Sequence, residues 1–126
     1  MTGPYRVLVT GSRSWDRPDV VEAALAVALY GHGEMVVVHG SCPTGADAIA
    51  SEWARRYAHL GVVEERHHAA WNLYGRAAGP KRNQQMVNAG ADLCLAFPVG
   101  RSSGTRSCIR LARAAGIPVR VWEAER

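Results

Sequence analysis

Five apolar runs punctuate the chain, at 5–10, 35–39, 62–66, 93–97 and 119–122. The cores "VLV", "VVV" and "LCLAF" are continuous, without the alternation of a strand that has one wet face. Continuous runs of this length suit parallel strands covered on both sides. Between them the spacing turns helical, over roughly 18–30, 45–60, 77–89 and 104–115. The first of these has Pro18 at its opening position and Asp19 and Glu22 in its first turns, where the fixed φ and the acidic charge favour a helix start; Gly31 and Gly33 stop it. In the second, Ala46, Ile49, Ala50, Trp53, Ala54 and Tyr57 recur at three- and four-residue intervals, with Glu52, Arg55 and Arg56 largely off that face. The fourth ends at Gly116, with Pro118 before the last strand. Strand–helix alternation with right-handed crossovers predicts an α/β fold. The expectation is one domain over 1–126, an open doubly wound sheet of about five mainly parallel strands with helices on both faces. The irregular stretch 66–83, "RHHAAWNLYGRAAGPKRN", is expected to be a long loop whose last part starts the third helix, and loops of that length are usually functional.

In such sheets ligands bind beyond the carboxyl ends of the strands. Those ends read "TGSRSW", "HGSCPTGAD", "HHAAWNLYGRAAGPKRN" and "FPVGRSSGT", and nearly all the Gly–Ser/Thr combinations of the chain fall there. Glycines let backbone N–H groups approach a ligand, short hydroxyls donate further bonds, and a helix opening directly afterwards adds unpaired N–H donors. Gly11, Ser12 and Arg13, then Gly40, Ser41 and Gly45, then Gly100, Ser102, Ser103, Gly104 and Thr105 are therefore candidate phosphate-binding positions. The plainer alternatives are a helix cap by Ser102 or Ser103, a tight turn at Gly11 and a solvated Arg13. Asp47 is a candidate acceptor for a ribose hydroxyl, against the alternative that an acid in a first helical turn simply favours the helix. Trp15 and Trp71 are candidate base-stacking residues, against packing over helix ends.

Composition narrows the picture. Net charge is +4 and the pI about 9.3, which favours an anionic partner without separating a nucleotide from a nucleic acid. The arginines form no run of five or more basic residues. No stretch approaches the ~20 apolar residues of a membrane span, and the opening "MTGPYRVLVTG" enters a strand without a signal-type core, so no membrane association and a cytoplasmic location are expected. Cys42, Cys94 and Cys108 are scattered, as reduced thiols would be. Cys42, at a strand end before a helix, has the setting of a lowered thiol pKa or of an inert small residue. His67 and His68 point to opposite faces of an extended chain, and no metal-ligand spacing is visible, so no metal and no cofactor are expected.

The segments "GSRSW", "VVVHGSCPTGADAIASEWA", "AAWNLYGRAAGPKRNQQM" and "LAFPVGRSSGTRSCIRLARAAGIPV" together resemble the SLOG superfamily, in its YspA-like branch, over about residues 5–121. That superfamily is Rossmann-like and includes the LONELY GUY phosphoribohydrolases, the DNA-processing protein DprA and sensor domains for nucleotide-derived signals. The resemblance implies a nucleotide-type ligand at the edge already singled out, and a homodimer like the related phosphoribohydrolases. Their P-G-G-x-G-T-x-x-E element is similar to 98–108 here: Gly104 and Thr105 match the G-T pair, and Cys108 stands where the glutamate would be. Their R-K-x-x-M element is similar to Arg82-Asn83-Gln84-Gln85-Met86, with Asn83 for the lysine, which adds Arg82 and Asn83 to the ligand-binding candidates.

Cleaving an N-glycosidic bond needs a group that stabilises charge on the sugar or activates water, worth ~10²–10⁴ in rate. A neutral Cys108 does neither well. The sequence therefore favours a protein that senses or sequesters a nucleotide. An enzyme of the nucleoside-monophosphate N-glycosidase type would have to use Asp47 as its catalytic residue, with Asp16 a weaker candidate. A third reading, single-stranded nucleic-acid binding, rests on the pI and the DprA relationship.

Overall fold

All five strands pair in parallel, in the order β3-β2-β1-β4-β5. The computed structural model describes residues 3–125. Its elements are β1 (Tyr5–Gly11), α1 (Pro18–Leu29), β2 (Met35–His39), α2 (Gly45–Arg56), β3 (Val62–Arg66), α3 (Trp71–Tyr74), α4 (Ala78–Ala89), β4 (Leu93–Phe97), α5 (Ser103–Ala114) and β5 (Val119–Val121). This is the predicted Rossmann-like α/β architecture.

The continuous apolar runs are explained by two cores. Val7, Val9, Val37, Leu95 and Phe97 face α1 and α2, where Val21, Leu25, Ala50 and Trp53 cover them. The alternate residues Leu8, Val36, Val38 and Cys94 meet Met86, Val87, Cys108 and Ala112 of α4 and α5. Successive side chains of one strand thus enter opposite cores, and each full burial of a Val or Leu contributes about 1.5–3 kcal/mol.

Most element boundaries lie within one residue of the sequence pattern, and the larger differences are in α2 and in the stretch after β3. Helix α2 ends at Arg56 instead of running to 60; a separate 3-10 turn, Ala58–Leu60, follows, closed by Gly61 at φ 88°. The apolar spacing continues through Tyr57, but no buried residue follows in that turn to hold the helix on. The stretch expected to be a long loop contains one helical turn, α3, and a 3-10 turn, Gly75–Ala77, before α4. Strand β5 stops at Val121, one residue short, and Val99 bridges to Ala124 beyond it.

The strand order places the site. Strand β1 lies between β2 and β4. Chain order runs outward from β1 to β3 on one side, then returns to β4 on the other. The loops after β1 and β4 therefore leave in opposite directions and open a crevice between them.

Candidate functional site

A cleft of about 370 Å³ fills that crevice. Its floor is Val9, Thr10 and Met86; its walls are the β1–α1 loop, the β2–α2 loop, the start of α5 and the α3–α4 segment.

The α5 wall offers donors. Ser102, at the cap position, is held at φ 42°, and its hydroxyl donates to Thr105 Oγ1 at 3.0 Å instead of accepting from the helix. No side chain caps α5, so the expected alternative of a plain serine cap does not hold. Ser102, Ser103, Gly104 and Thr105, which make the start of the helix, all line the cleft. An uncapped N-terminus carries about half a positive charge and suits an anion. The Arg82 guanidinium donates from Nε to Asn83 Oδ1 (2.9 Å) and from NH1 to the Gly40 carbonyl (2.7 Å). Asn83 in turn donates to the Gly104 carbonyl at 3.4 Å, tying α4 to the start of α5.

The β2–α2 wall carries the cleft's one carboxylate. Asp47 is 5% exposed; its Oδ2 accepts from the backbone N–H of Gly40 (3.2 Å) and Cys42 (3.3 Å). Its Oδ1 is the one buried side-chain polar atom among the described residues without a hydrogen-bond partner. Burial pushes this carboxyl above the ordinary range, against the opposing pull of its neighbours. Burial and the adjacent Asp47 also raise the Cys42 thiol, so Cys42 is not an activated thiolate. Gly45 opens α2 at φ 75°, and any side chain there would run into the Ser12 carbonyl and the Arg13 backbone. That close approach lets Ala46 N–H donate to the Ser12 carbonyl (3.3 Å) and Thr44 Oγ1 to the Arg13 carbonyl (3.0 Å), locking two site loops together.

At the rim, Arg13 lies over the Trp71 ring, 5.5 Å from its centroid. The two join the β1–α1 loop to α3 across the cleft mouth. Trp71 is 48% exposed, an unusual position for a tryptophan that has only packing to do.

Most of the predicted residues converge. Gly11, Ser12, Arg13, Gly40, Asp47, Trp71, Arg82, Asn83, Ser102, Ser103, Gly104 and Thr105 all line the cleft. Four others do not. Trp15 is buried: its Nε1 donates to the Arg17 carbonyl (2.9 Å) and its ring meets Phe97 edge-on, so the packing alternative describes it. Ser41 turns its hydroxyl away to accept from Arg66 at 3.2 Å. Gly45 shapes the loop from behind. Gly100 is outside, bonded through its N–H to Ala124 and through its carbonyl to Arg106. Cys108 lies beneath the floor, fully buried beside Thr10, with its thiol raised by burial. Asp16 is exposed and lines no part of the cleft.

Sequence reasoning missed Thr10, Met86 and Ser107 of the lining, and a polar cluster behind Asp47. In that cluster His39, fully buried, bonds through Nε2 to Glu64 Oε1 at 2.9 Å. Ser51 donates to the same oxygen at 2.6 Å, and Arg66 donates to Ser51 at 2.9 Å. Burial works to raise Glu64, but the bonds from Ser51 and His39 and the charge of Arg66 outweigh it and hold the carboxyl below its ordinary range. A period-two reading of "VVEER" beside "VVVH" would have put His39 and Glu64 on one sheet face.

With this geometry in place, the comparison with known proteins is decisive on one point. The profile of the YspA, cpYpsA-related SLOG family, YAcAr, matches residues 5–74. The chain belongs to that family. A relative of this YAcAr chain, "Gene 61 protein" of Mycobacterium phage D29, is 52% identical over 120 residues, covering 90% of this chain and 93% of the relative. Two crystal structures of the C-terminal domain of the PF1911 hydrogenase of Pyrococcus furiosus are similar at TM-scores of 0.45 and 0.48. They are 14% and 12% identical, covering 97% and 96% of the YAcAr chain and 96% and 92% of their own. Among the described residues, no helix is long and apolar enough to cross a membrane and no cluster of metal-binding side chains is present.

Proposed function

We propose that this protein binds a nucleotide or nucleotide-derived small molecule in the cleft and holds it without cleaving it. One observation carries the reading: the uncapped start of α5 and Asp47, whose buried Oδ1 has no hydrogen-bond partner, line the same 370 Å³ cleft. The first takes an anion such as a phosphate. The second takes a hydrogen-bond donor, such as a sugar hydroxyl or an N–H of a base, and an unsatisfied buried polar atom costs about 1–3 kcal/mol that such a donor removes. Trp71 with Arg13 forms a face on which a flat ring stacks.

The test is a panel of nucleoside monophosphates and dinucleotides, read by thermal stabilisation and by chromatography for free base. Stabilisation by one or more members with no base released is the expected outcome. Silence across the panel, together with oligonucleotide binding that falls steeply with salt, would replace this reading with nucleic-acid binding. A second reading has one observation in its favour. Asp47 is a carboxyl raised by burial in a cleft, the setting of many general acids. Base release that disappears in Asp47→Asn would convert the binder into an N-glycosidase.

A further inference from the structure

The geometry points to the Glu64–His39 pair as a positioning device for the β2–α2 loop, setting Asp47 at the cleft so that Oδ2 is held by the protein and Oδ1 has no protein partner. His39 Nδ1 accepts the backbone N–H of Ser41 at 3.0 Å. An N–H can only donate, so Nδ1 carries no proton. The ring proton is then on Nε2, and it is donated to Glu64 Oε1 at 2.9 Å. Glu64 therefore selects the tautomer, and the tautomer provides the acceptor that Ser41 needs.

That acceptor matters because Ser41 is one of two non-glycine residues at positive φ among the described residues, at 60°. A side chain in this region is strained, because its Cβ crowds the following carbonyl. Two bonds hold the residue there, from Ser41 N–H to His39 and from Arg66 NH1 to Ser41 Oγ. The flanking residues gain from the conformation: Gly40 and Cys42, one on each side of Ser41, both aim their N–H groups at Asp47 Oδ2. A chain of contacts thus runs from β3 through the buried imidazole to the carboxylate in the cleft. Neither His39 nor Glu64 lines the cleft, so both act on a ligand only through the loop.

The inference deepens the binding reading and rests on it for one arm of its test, while the other needs no ligand. In the first arm, nitrogen-15 spectra of the wild-type imidazole are expected to show Nδ1 bare and Nε2 protonated at neutral pH. Amide exchange is expected to show Ser41 and Cys42 protected. A proton on Nδ1, or rapid exchange at both amides, would overturn the proposal outright. In the second arm, His39→Asn is paired with His39→Leu. Asparagine places an oxygen close to the Nδ1 position and can still accept from Ser41; leucine cannot. Both remove the bond to Glu64, so a purely structural role predicts equal effects. Positioning predicts that His39→Asn stays within about threefold of the wild type in affinity for the strongest nucleotide of the panel and in Ser41 and Cys42 protection. His39→Leu is expected to lose tenfold or more in both. Equal losses would overturn the proposal. If no nucleotide binds the wild type, the binding reading fails, and amide protection in the two variants still decides whether His39 positions the loop.

Discussion

Thr105 and Arg82 are the residues on which the phosphate reading bears most directly. Thr105 accepts from Ser102, which leaves its own hydroxyl proton to donate, and it stands on the first turn of a helix with no cap. Arg82 lines the same cleft. Hydrogen bonds to a charged group are worth about 1.5–3 kcal/mol. Thr105→Ala and Arg82→Ala are each expected to weaken nucleotide binding by roughly ten- to a hundredfold, read by calorimetry, with circular dichroism unchanged. Unaltered affinity in both would place the anion elsewhere. Asp47 makes a different prediction. Its folded pKa is raised by burial, so its contribution to stability is complete below the unfolded value near 4 and is lost as pH rises through the folded value. Asp47→Asn keeps an acceptor for Gly40 and Cys42 and never ionises. The variant is expected to gain stability relative to the wild type as pH rises above the ordinary carboxylate range, while losing ligand affinity. A Tm difference that stays constant with pH would contradict this. These residues also mark how far the sequence could be read. Asp47 and Thr105 were legible because glycines and hydroxyls gathered at strand ends, and Arg82 because residues 82–86 resemble a family motif. The different fates of Trp15 and Trp71 were not, because both are aromatic residues in loops at one edge and only packing separates them.

At the scale of elements, β1, β2 and β4 were legible almost to the residue, since burial on both faces leaves an unbroken apolar run between turn signals, whereas β3 and β5 are only partly buried. Helix ends were less so. The spacing of α2 carries on past Arg56, and what stops it is a tertiary fact, the lack of a buried surface under Ala58–Leu60. The His39–Glu64 contact joins residues 25 positions apart on different strands, and no local motif announces it. A second cross-strand contact binds β1 to β3 on the opposite face. Arg6 holds Glu65 by two bonds, 2.9 and 3.0 Å, and Arg6 Nε reaches the Gly90 carbonyl. The Arg6 guanidinium, with burial opposing and His67 assisting, pushes the Glu65 carboxyl down to about 2. A lowered folded pKa contributes stability that is present above the unfolded value near 4.3 and is lost as pH falls toward 2. The pair is about one-third exposed, so solvent reduces its worth to about 1 kcal/mol. Glu65→Gln is expected to lower stability by that amount at pH 7 in urea titrations, with the gap closing at about pH 2–3. A gap independent of pH would show that shape, not charge, holds the two strands.

For the whole molecule, the basic balance is less of an argument than it looks from composition. Arg6, Arg17, Arg56 and Arg106 are each engaged by a carboxylate, so much of the positive charge is answered locally. What distinguishes the molecule is where the strand order turns back beside β1, because that point gathers four loops from distant parts of the chain. A ligand seated there ties those loops together and stabilises only the folded state. At a hundred times its Kd it adds about 2.7 kcal/mol.

The contact between Arg13 and Trp71 gives the molecule an optical property. Of its four tryptophans, Trp15 and Trp53 are buried and Trp122 is half-buried, whereas Trp71 stands half in water at the cleft mouth. Iodide in solution will extinguish the emission of Trp71 ahead of the other three. A guest that lies against that ring shields it, so cleft occupancy can be followed by light from the unlabelled protein.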